Sequence, residues 1–311
     1  MDRRTFLSLA AGLPALAAFG ETPSARPAGP APIGGMDKKQ AAAFAAAGYD
    51  YLELSLATEL IPGKADEAFA KALPLLKGLP LPVTFLNGFI GGDIPMVGPD
   101  AQHDKVEKWV RTAFPRARQL GVGIITVGSG ASRRCPPGFD PAKARAQFSA
   151  ILGRIAPIAR DHGLRLTIEN LNSAETNLGT SIAESVEIIT AAGPDVFLTA
   201  DLYHMLRDDD PAAELRKAKG RLIHCHVAEK EVRSAPGTKG DDFRPHLRVL
   251  KELGYAGAYS FECGWAKSVT PDRRSRRSAA SSPRSDHSSP RRRGSRPVTR
   301  RESAALRTAM A

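Results

Sequence analysis

The 311-residue sequence has few cysteines and no long apolar run. The sequence contains three cysteines, Cys135, Cys225 and Cys263. This number is small and odd, so it does not fit a disulfide framework. No stretch approaches the roughly 20 apolar residues that a membrane-spanning helix needs, so we expect no stable membrane span. These absences exclude a disulfide-stapled small domain and a helical membrane protein. A hydrophobic content of 42% is nevertheless ample for a large buried core.

Most of the chain also lacks a large net charge, although the net charge of the whole sequence is +11. Residues 266–311 hold 13 of the 44 Lys and Arg residues but only 3 of the 33 Asp and Glu residues. The remaining 31 basic and 30 acidic side chains leave residues 1–265 nearly neutral. The basic charge therefore belongs to the tail, and we expect no nucleic-acid partner for the rest of the chain.

The amino terminus resembles an export signal. It begins MDRRTFL, and a mildly apolar run rich in small residues follows as far as Ala18. Adjacent arginines followed by Phe6 and Leu7 are typical of a twin-arginine signal, which directs folded proteins across a membrane. We predict a signal peptide in residues 1–25 and a periplasmic location, with an ordinary amphipathic first helix as the alternative.

Residues 26–265 alternate between strand and helix patterns. The predicted strands, of which the first is weak, are Pro32–Gly35, Tyr49–Leu56, Leu81–Ile90, Gly123–Val127, Leu164–Asn170, Val196–Asp201, Leu222–Val227 and Ala258–Glu262. The predicted helices are Lys38–Ala47, Ala65–Leu76, Asp104–Leu120, Pro141–His162, Ile182–Ala192, Ala212–Lys219 and Asp242–Leu253. Pro115 is expected to kink or break the third helix. Such alternation is typical of an α/β protein with a parallel sheet, and eight strands favour a closed (β/α)8 TIM barrel over an open doubly wound sheet.

The composition changes abruptly after Trp265. Residues 271–303 are dominated by Arg, Ser and Pro, and such a composition cannot bury enough apolar surface to fold. We therefore predict a disordered basic tail in residues 266–311. A closed barrel would place an eighth helix here, but only Ala304–Ala311 has a helical pattern. Our hypothesis is that the tail replaces the last helix through a shifted reading frame.

Four successive predicted strands each carry one metal-ligating side chain near the carboxyl end. In Leu164–Asn170 the apolar Leu166 and Ile168 share one face, which places Glu169 on the other, polar face. The same alternation applies to the next three strands, and the resulting set is Glu169, Asp201, His226 and Glu262. One inward carboxylate alone is as consistent with a structural hydrogen-bonding group, but four on successive strands favour a metal site. Three carboxylates and one imidazole suit a single Mn²⁺, Mg²⁺, Co²⁺ or Zn²⁺ ion.

Several short motifs surround these residues in the same order along the chain. They are Ile168-Glu169-Asn170-Leu171-Asn172 with Glu175, Asp201-Leu202-Tyr203-His204, His224-Cys225-His226-Val227-Ala228-Glu229, and Ser260-Phe261-Glu262. With these motifs, residues from about 36 to 265 resemble the xylose-isomerase-like sugar phosphate isomerase/epimerase superfamily, which includes ketose 3-epimerases and hydroxypyruvate isomerases.

The resemblance implies that the four ligands bind one divalent metal and that Glu169 and Glu262 form the acid/base pair. It also implies that His204 and Glu175 contact the substrate. A family arginine usually follows the metal-binding histidine by six residues, a position occupied here by Val232. Arg233 lies one residue further along the chain and is the candidate for the substrate contact of the family arginine.

The chemistry of these residues favours a sugar or sugar phosphate isomerase or epimerase. A divalent metal chelated by adjacent carbonyl and hydroxyl oxygens stabilises the negative charge of an enediolate. One glutamate removes the proton next to the carbonyl and the other returns a proton, on the opposite face for epimerisation. The expected partner is a small sugar or sugar phosphate, and a homo-oligomer is compatible with the sequence.

Two further residues face inward by the same alternation. Glu53, in the second strand, is expected to contact the substrate or to fill the barrel interior. His224, two residues before the predicted ligand His226, is expected to support the metal site or to be a hydrogen-bonded interior histidine. Cys225 and Cys263 fall on the outward face and are expected to be buried thiols.

Two other functions remain open on the sequence. An exported barrel could bind a sugar without converting it. A metal-dependent apurinic-site endonuclease has the same type of barrel, but that family carries extra histidines on early strands, and the second and third predicted strands contain none. Metal analysis combined with solvent-deuterium incorporation into ketoses distinguishes these functions.

Overall fold

In the computed structural model, residues 31–265 are described, and they form a closed barrel of eight parallel strands. The strands follow chain order around the barrel, and the first pairs with the last, with Ile33 opposite Tyr259. This pairing confirms the predicted TIM barrel and excludes the open sheet. The predicted signal peptide in residues 1–25 and the tail in residues 266–311, including the hypothesis about the eighth helix, lie outside the described residues.

The strands agree closely with those predicted. They are Ile33–Gly35 (β1), Tyr51–Ser55 (β2), Val83–Asn87 (β3), Ile124–Val127 (β4), Arg165–Glu169 (β5), Val196–Asp201 (β6), Leu222–Val227 (β7) and Ala258–Phe261 (β8). The α-helices are Ala41–Ala47 (α1), Leu56–Glu59 (α2), Asp66–Lys77 (α3), His103–Leu120 (α4), Gly130–Arg133 (α5), Pro141–Asp161 (α6), Ile182–Ala192 (α7), Leu202–Arg207 (α8) and Arg244–Glu252 (α9). Two 3₁₀ segments, Lys38–Gln40 and Ala212–Ala218, complete the set within residues 31–265.

The first strand is short because of its glycines, which have little preference for strands. Gly34 is nevertheless required for packing, since a Cβ atom at this position would collide with the ring of Tyr51 on β2. The Tyr51 hydroxyl lies 3.0 Å from Oγ of Ser260 on β8, inside the barrel. The glycine therefore lets a hydrogen bond cross the closing seam.

The expected break at Pro115 does not occur, because α4 continues through this residue to Leu120. Proline within a helix costs about 3 kcal/mol or more. Burying one Val or Phe side chain stabilises by about 1.5–3 kcal/mol, and α4 buries Val106, Val110 and Phe114 completely. Packing of this helix face therefore outweighs the cost of the proline. Within residues 31–265, no helix is both long enough and apolar enough to cross a bilayer.

Three short helices at the carboxyl ends of strands were not predicted. The helices α2, α5 and α8 follow β2, β4 and β6, and each contains only four to six residues. Such lengths are too short to show a helical period. These helices matter for function because they turn the chain at the end of the barrel where chemistry takes place.

The barrel interior is partly polar. Thr126, Thr167 and Thr199 lie on β4, β5 and β6 and are fully buried. The Thr199 hydroxyl lies 2.7 Å from that of Thr167 and 3.2 Å from that of Thr126. Their hydroxyls form hydrogen bonds with one another, as buried polar groups must. Thr167 and Thr199 lie two residues before Glu169 and Asp201 on the same strand faces.

Candidate metal centre

The four predicted ligands converge at the carboxyl end of the barrel. One ligand atom from each of Glu169, Asp201, His226 and Glu262 lies within 4.8 Å of the others. Nδ1 of His226 is at the centre of the group. It lies 2.8 Å from Oε1 of Glu169, 3.3 Å from Oε2 of Glu262 and 3.9 Å from Oδ2 of Asp201. The structure thus brings these side chains together as the strand pattern predicted.

Asn170 joins the strands that carry the first two ligands. Its side-chain Oδ1 accepts the Asp201 N–H at 2.8 Å, and its Nδ2 donates to the Asp201 carbonyl at 3.2 Å. The amide side chain thereby extends the β5–β6 ladder beyond Glu169. Asn170 was noted in the sequence only as part of a motif, and its role requires the pairing of the two strands.

The carboxylate of Asp201 is divided between two tasks. Its Oδ1 caps α8 by accepting the N–H groups of Tyr203 at 2.7 Å and His204 at 3.3 Å. Its Oδ2 faces the cluster of ligands. Burial raises the pKa of Asp201, but His204 and Arg233 outweigh burial and hold the pKa below its ordinary value. Asp201 is therefore ionised and oriented before any ligand binds.

Glu169 differs from Asp201 in its electrostatics. Burial, together with the carboxylates of Glu262 and Asp201, raises the pKa of Glu169 to about 8, against the lowering effect of His226. Its Oε2 lies against the backbone of Gly128, where a Cβ atom would collide with it. The absence of a side chain at Gly128 therefore provides space for this carboxylate.

A fully buried arginine lies beneath Glu169. Arg133 on α5 donates from Nη2 to the Glu169 carbonyl at 2.7 Å and from Nη1 to the Val127 carbonyl at 3.4 Å. Its guanidinium lies over the ring of Phe148, 5.6 Å from the centroid. Arg133 thus ties the ends of β4 and β5 together. No sequence signal distinguished it from the neighbouring Arg134, which is exposed.

Arg233 reaches the ligands despite its displaced position in the sequence. Its Nη2 lies 2.8 Å from Oε2 of Glu262 and 3.2 Å from Oδ2 of Asp201, and its Nη1 lies 3.7 Å from Oε1 of Glu175. The guanidinium also stacks 4.5 Å from the ring centroid of Tyr203. Val232 and Arg233 have positive φ angles of 53° and 52°, and this unusual turn brings the side chain inward.

The loop that carries Arg233 is held by a second buried carboxylate, Glu229. Its oxygens accept the backbone N–H groups of Gly237 at 2.6 Å, Thr238 at 3.1 Å and Gly240 at 3.3 Å, together with that of Lys239. Glu229 is fully buried, so these charge-assisted hydrogen bonds fold the loop back on itself.

His204 presents a hydrogen-bond donor towards the same space. Its Nδ1 accepts the backbone N–H of Asn172 at 3.1 Å, so the proton of the neutral ring is on Nε2. Burial lowers the pKa of His204, against the raising effect of Asp201, which favours the neutral ring. Among the described residues Nε2 has no hydrogen-bond partner and lies 3.5 Å from Oδ2 of Asp201.

Glu53 lies in the barrel interior, which was one of the two positions expected for it from the sequence, rather than at a substrate contact. It is fully buried, and its two carboxylate oxygens lie 3.0 Å from Nε2 of His226 and 2.8 Å from Nε2 of His224. Burial raises the pKa of Glu53, but the two imidazoles outweigh burial and hold the pKa well below its ordinary value. Cys225, on the outward face of β7, is fully buried, while Cys263 is half-buried.

The charges of the cluster fit a divalent cation. An uncompensated buried carboxylate costs several kcal/mol. Arg233 is in ion-pair contact with two of the three ligand carboxylates, those of Asp201 and Glu262, and it supplies one positive charge. A divalent ion would supply the other two. Carboxylate oxygens with one imidazole nitrogen are also a donor set that Mn²⁺, Mg²⁺, Co²⁺ and Zn²⁺ accept.

Residues 41–284 match the family described as the xylose isomerase-like TIM barrel. The chain belongs to this family. The family assignment confirms the resemblance drawn from the strand-end motifs.

Among curated members of the xylose isomerase-like family, the chain is 30% identical over 241 residues to L-ribulose 3-epimerase of Methylomonas sp. (strain DH-1), covering 75% of this chain and 80% of that protein. It is 32% identical over 154 residues to L-ribulose 3-epimerase of Mesorhizobium japonicum, covering 47% of this chain and 49% of that protein. Among solved structures, it resembles D-allulose 3-epimerase from Methylomonas sp. in complex with D-allulose, with a TM-score of 0.63 and 27% identity. That alignment covers 75% of this chain and 83% of the other. These relatives are sugar epimerases.

Proposed function

We propose that this protein is a divalent-metal-dependent epimerase of an unphosphorylated ketose. The observation that carries the proposal is the convergence of Glu169 and Glu262 on one imidazole nitrogen, 2.8 Å and 3.3 Å from Nδ1 of His226. Two carboxylates facing one metal cluster supply both proton transfers that epimerisation needs. The chain aligns with most of the length of two relatives that are named as epimerases, which supports the same reaction.

The residues of this chain have separate tasks in the proposed reaction. Glu169, Asp201, His226 and Glu262 would hold the ion, which supplies charge stabilisation for the carbonyl oxygen and the enediolate. One glutamate takes the proton as the C–H bond next to the carbonyl breaks. The other glutamate gives a proton to the opposite face, where the new C–H bond forms. No oxidant or reductant is consumed.

The environment of Glu169 suits proton transfer near neutral pH. Without a metal, burial and the neighbouring carboxylates raise the pKa of Glu169 to about 8. A bound cation would lower this pKa towards the working pH, where a general base is most effective. His204 would donate from its unpaired Nε2–H to a sugar oxygen. Glu175 and Arg233, 3.7 Å apart, would contact hydroxyl groups on the outer side.

An unphosphorylated substrate is favoured by the charges around the centre. Arg233 pairs with Glu262 and Asp201, and Arg133 is buried against backbone carbonyls. Both arginines therefore already have partners and are not available to bind a phosphate group. A phosphate group would meet the carboxylates of Glu262 and Glu175 near the mouth of the site, and like charges repel. L-Ribulose and D-allulose, named for the relatives, are likewise free sugars.

The test uses the purified full chain loaded in turn with Mn²⁺, Mg²⁺, Co²⁺ and Zn²⁺. L-Ribulose, D-allulose and their phosphate esters are incubated with it in D₂O, and deuterium at C3 is followed by NMR. We expect metal-dependent exchange and epimer formation with the free ketoses. Exchange confined to the phosphate esters would contradict the substrate class. Sugar binding without exchange would favour a non-catalytic sugar-binding barrel.

Variants test the two glutamates directly. Glu169→Gln and Glu262→Gln each remove one proton-transfer group and are expected to abolish turnover while sugar binding is largely retained. Near-normal activity of either variant would refute its assignment. The sequence alternative of an apurinic-site endonuclease has no further support, since β2 and β3 carry no histidine.

We also propose export to the periplasm through residues 1–25, on the basis of the twin-arginine pattern at Arg3 and Arg4. Replacing both arginines by lysine should retain the protein in the cytoplasm, as cell fractionation would show. Unchanged periplasmic recovery would contradict a twin-arginine signal.

A further inference from the structure

Three fully buried side chains form a chain of hydrogen bonds beneath the metal centre. Oε2 of Glu53 lies 2.8 Å from Nε2 of His224, and Oε1 of Glu53 lies 3.0 Å from Nε2 of His226. The opposite nitrogen of His226, Nδ1, faces the three ligand carboxylates. Glu53 on β2 therefore contacts the predicted ligand His226 across the barrel interior, from the side opposite the three ligand carboxylates.

The orientation of His226 determines which nitrogen can bind a cation. A neutral imidazole carries one proton, and the nitrogen that binds a metal must be the other one. Nδ1 faces the carboxylates, so the proton must be on Nε2 and needs an acceptor. An ionised carboxylate only accepts hydrogen bonds, and the Glu53 oxygen at 3.0 Å is that acceptor.

His224 holds the carboxylate of Glu53 in this position. Its Nε2 donates to the second Glu53 oxygen, and its ring packs 4.6 Å from the ring of Phe85 and 5.0 Å from that of His226. Both oxygens of Glu53 are thus occupied, and neither is free to meet a substrate.

We infer that Glu53 is a positioning residue of the metal centre, which holds His226 as the Nε2–H tautomer and directs Nδ1 at the ion. The sequence left open a substrate contact or an interior position for Glu53, and this role belongs to the interior position. The inference rests on the proposed function, because it presupposes that the four-ligand cluster binds a divalent metal. Carboxylates that orient a metal-binding histidine typically change metal affinity by about 10–100-fold when they are removed.

One competing interpretation is a second metal ion bound by the lower group itself. Ligand atoms of Glu53, His224 and His226 also lie within 4.8 Å of one another. An ion there would displace the protons that join these atoms and would make His226 bridge two metals. Stoichiometry separates the two interpretations: positioning requires one ion per chain, whereas a second site requires two.

The first experiment measures metal affinity of the full-length chain by competition with a chromophoric chelator. Zn²⁺ and Mn²⁺ serve as probes, with the wild type, Glu53→Gln and Glu59→Gln compared. Glu59 is a matched control, since it is also a mostly buried, paired glutamate but lies on α2 against Lys38. We expect one ion per chain, a 10–100-fold weaker affinity for Glu53→Gln, and an unchanged affinity for Glu59→Gln.

The second experiment does not depend on any variant folding. Histidine-selective ¹⁵N labelling of the Zn²⁺-loaded wild type reports which nitrogen of His226 carries the proton. A protonated Nε2 with a metal-bound Nδ1 supports the inference. A protonated Nδ1, two ions per chain, or a wild-type affinity in folded Glu53→Gln would each overturn it.

The outcomes also separate this inference from the proposed function. A wild type that binds no divalent metal would remove the basis of both. A wild type that binds metal and epimerises ketoses, with Glu53→Gln equal to it in affinity, would overturn the positioning role alone.

Discussion

Gly128 lies so close to Glu169 that any side chain at this position would collide with the Oε2 atom of that carboxylate. The backbone between β4 and α5 therefore forms one wall of the metal centre. Because Gly128 does not have a positive φ, the glycine is required for space rather than for backbone conformation. The position of a proposed acid/base group thus depends on a residue without a side chain.

Gly128→Ala should displace the Glu169 carboxylate and lower the epimerase kcat by about 100-fold, since a 1 Å misplacement of a reacting group can cost that much. Steady-state kinetics with saturating metal measure the effect. Gly123→Ala is the matched control, because a Cβ atom there meets nothing within 4 Å. A kcat of Gly128→Ala equal to that of Gly123→Ala would contradict the prediction.

Arg233→Gln should have opposite effects on metal binding and turnover. The guanidinium lies 2.8 Å and 3.2 Å from two ligand oxygens, so it repels or competes with an incoming cation. Removing its charge should tighten metal binding by about tenfold, as expected for charges a few ångströms apart in a partly screened site. Turnover should fall because a substrate contact is lost.

Chelator competition and steady-state kinetics on the same preparation give both quantities for Arg233→Gln. Arg134→Gln serves as a control, since the Arg134 side chain is exposed and donates to the carbonyl of Ala174. Weaker metal binding in Arg233→Gln would show that the arginine supports the metal site rather than competing for it.

Glu229→Gln should loosen the loop that carries Arg233. A neutral amide offers one acceptor oxygen where the carboxylate now accepts four backbone N–H groups, and leaving buried donors unsatisfied costs about 1–3 kcal/mol each. We expect a loss of about 2–3 kcal/mol in the free energy of unfolding and faster amide exchange at Gly237 to Gly240.

Urea denaturation and hydrogen exchange measure the two effects of Glu229→Gln. Glu231→Gln, an exposed position in the same loop paired with Lys239, should change stability little. Equal stability and exchange in both variants would contradict the anchoring role of Glu229.

Metal affinity should rise with pH between pH 6 and 8. The pKa of Glu169 in the metal-free protein is raised to about 8, so below that pH the carboxyl is protonated and the metal must displace the proton. Metal-bound protein carries fewer protons than metal-free protein, so raising the pH favours the bound form, by about tenfold per pH unit for one proton. Burial lowers the pKa of His226, but Glu53 and Glu169 outweigh burial and raise this pKa well above its ordinary value. Metal binding must therefore displace a proton from His226 as well, so a higher pH again favours the metal-bound form.

Calorimetry at pH 7 in two buffers of different ionisation enthalpy counts the protons released on Mn²⁺ binding. Release of at least one proton per ion is expected. A pH-independent affinity without proton release would show that Glu169 is ionised before the metal binds.

Much of the site was predictable because strands obey a strict period of two. Glu169, Asp201 and His226 each lie on the polar face of a strand that the apolar neighbours identify. Parallel strands in a barrel end at the same rim, so side chains at those ends converge wherever the barrel closes. The same local regularity predicted all eight strands, including the three-residue β1.

Other features depend on contacts that no local pattern encodes. Glu53 and His226 are separated by 173 residues, and their hydrogen bond exists only because β2 and β7 face each other across a closed barrel. Arg133 and Arg134 are adjacent and chemically identical, yet one is buried under Glu169 and the other is exposed. The difference in burial depends on α5, which ends at Arg133 and leaves Arg134 as the residue that follows the helix.

The sequence by itself predicted the barrel and the four side chains that converge at its rim, because the alternation of apolar and polar residues along a strand is a local property. The strand-end motifs predicted the family. Only the tertiary structure decided how those ligands are oriented. Closure of the barrel places Glu53 behind His226, and close approach of the backbone at Gly128 shapes the space for Glu169. Both effects arise from distances between elements far apart in the chain, and such distances exist only after folding.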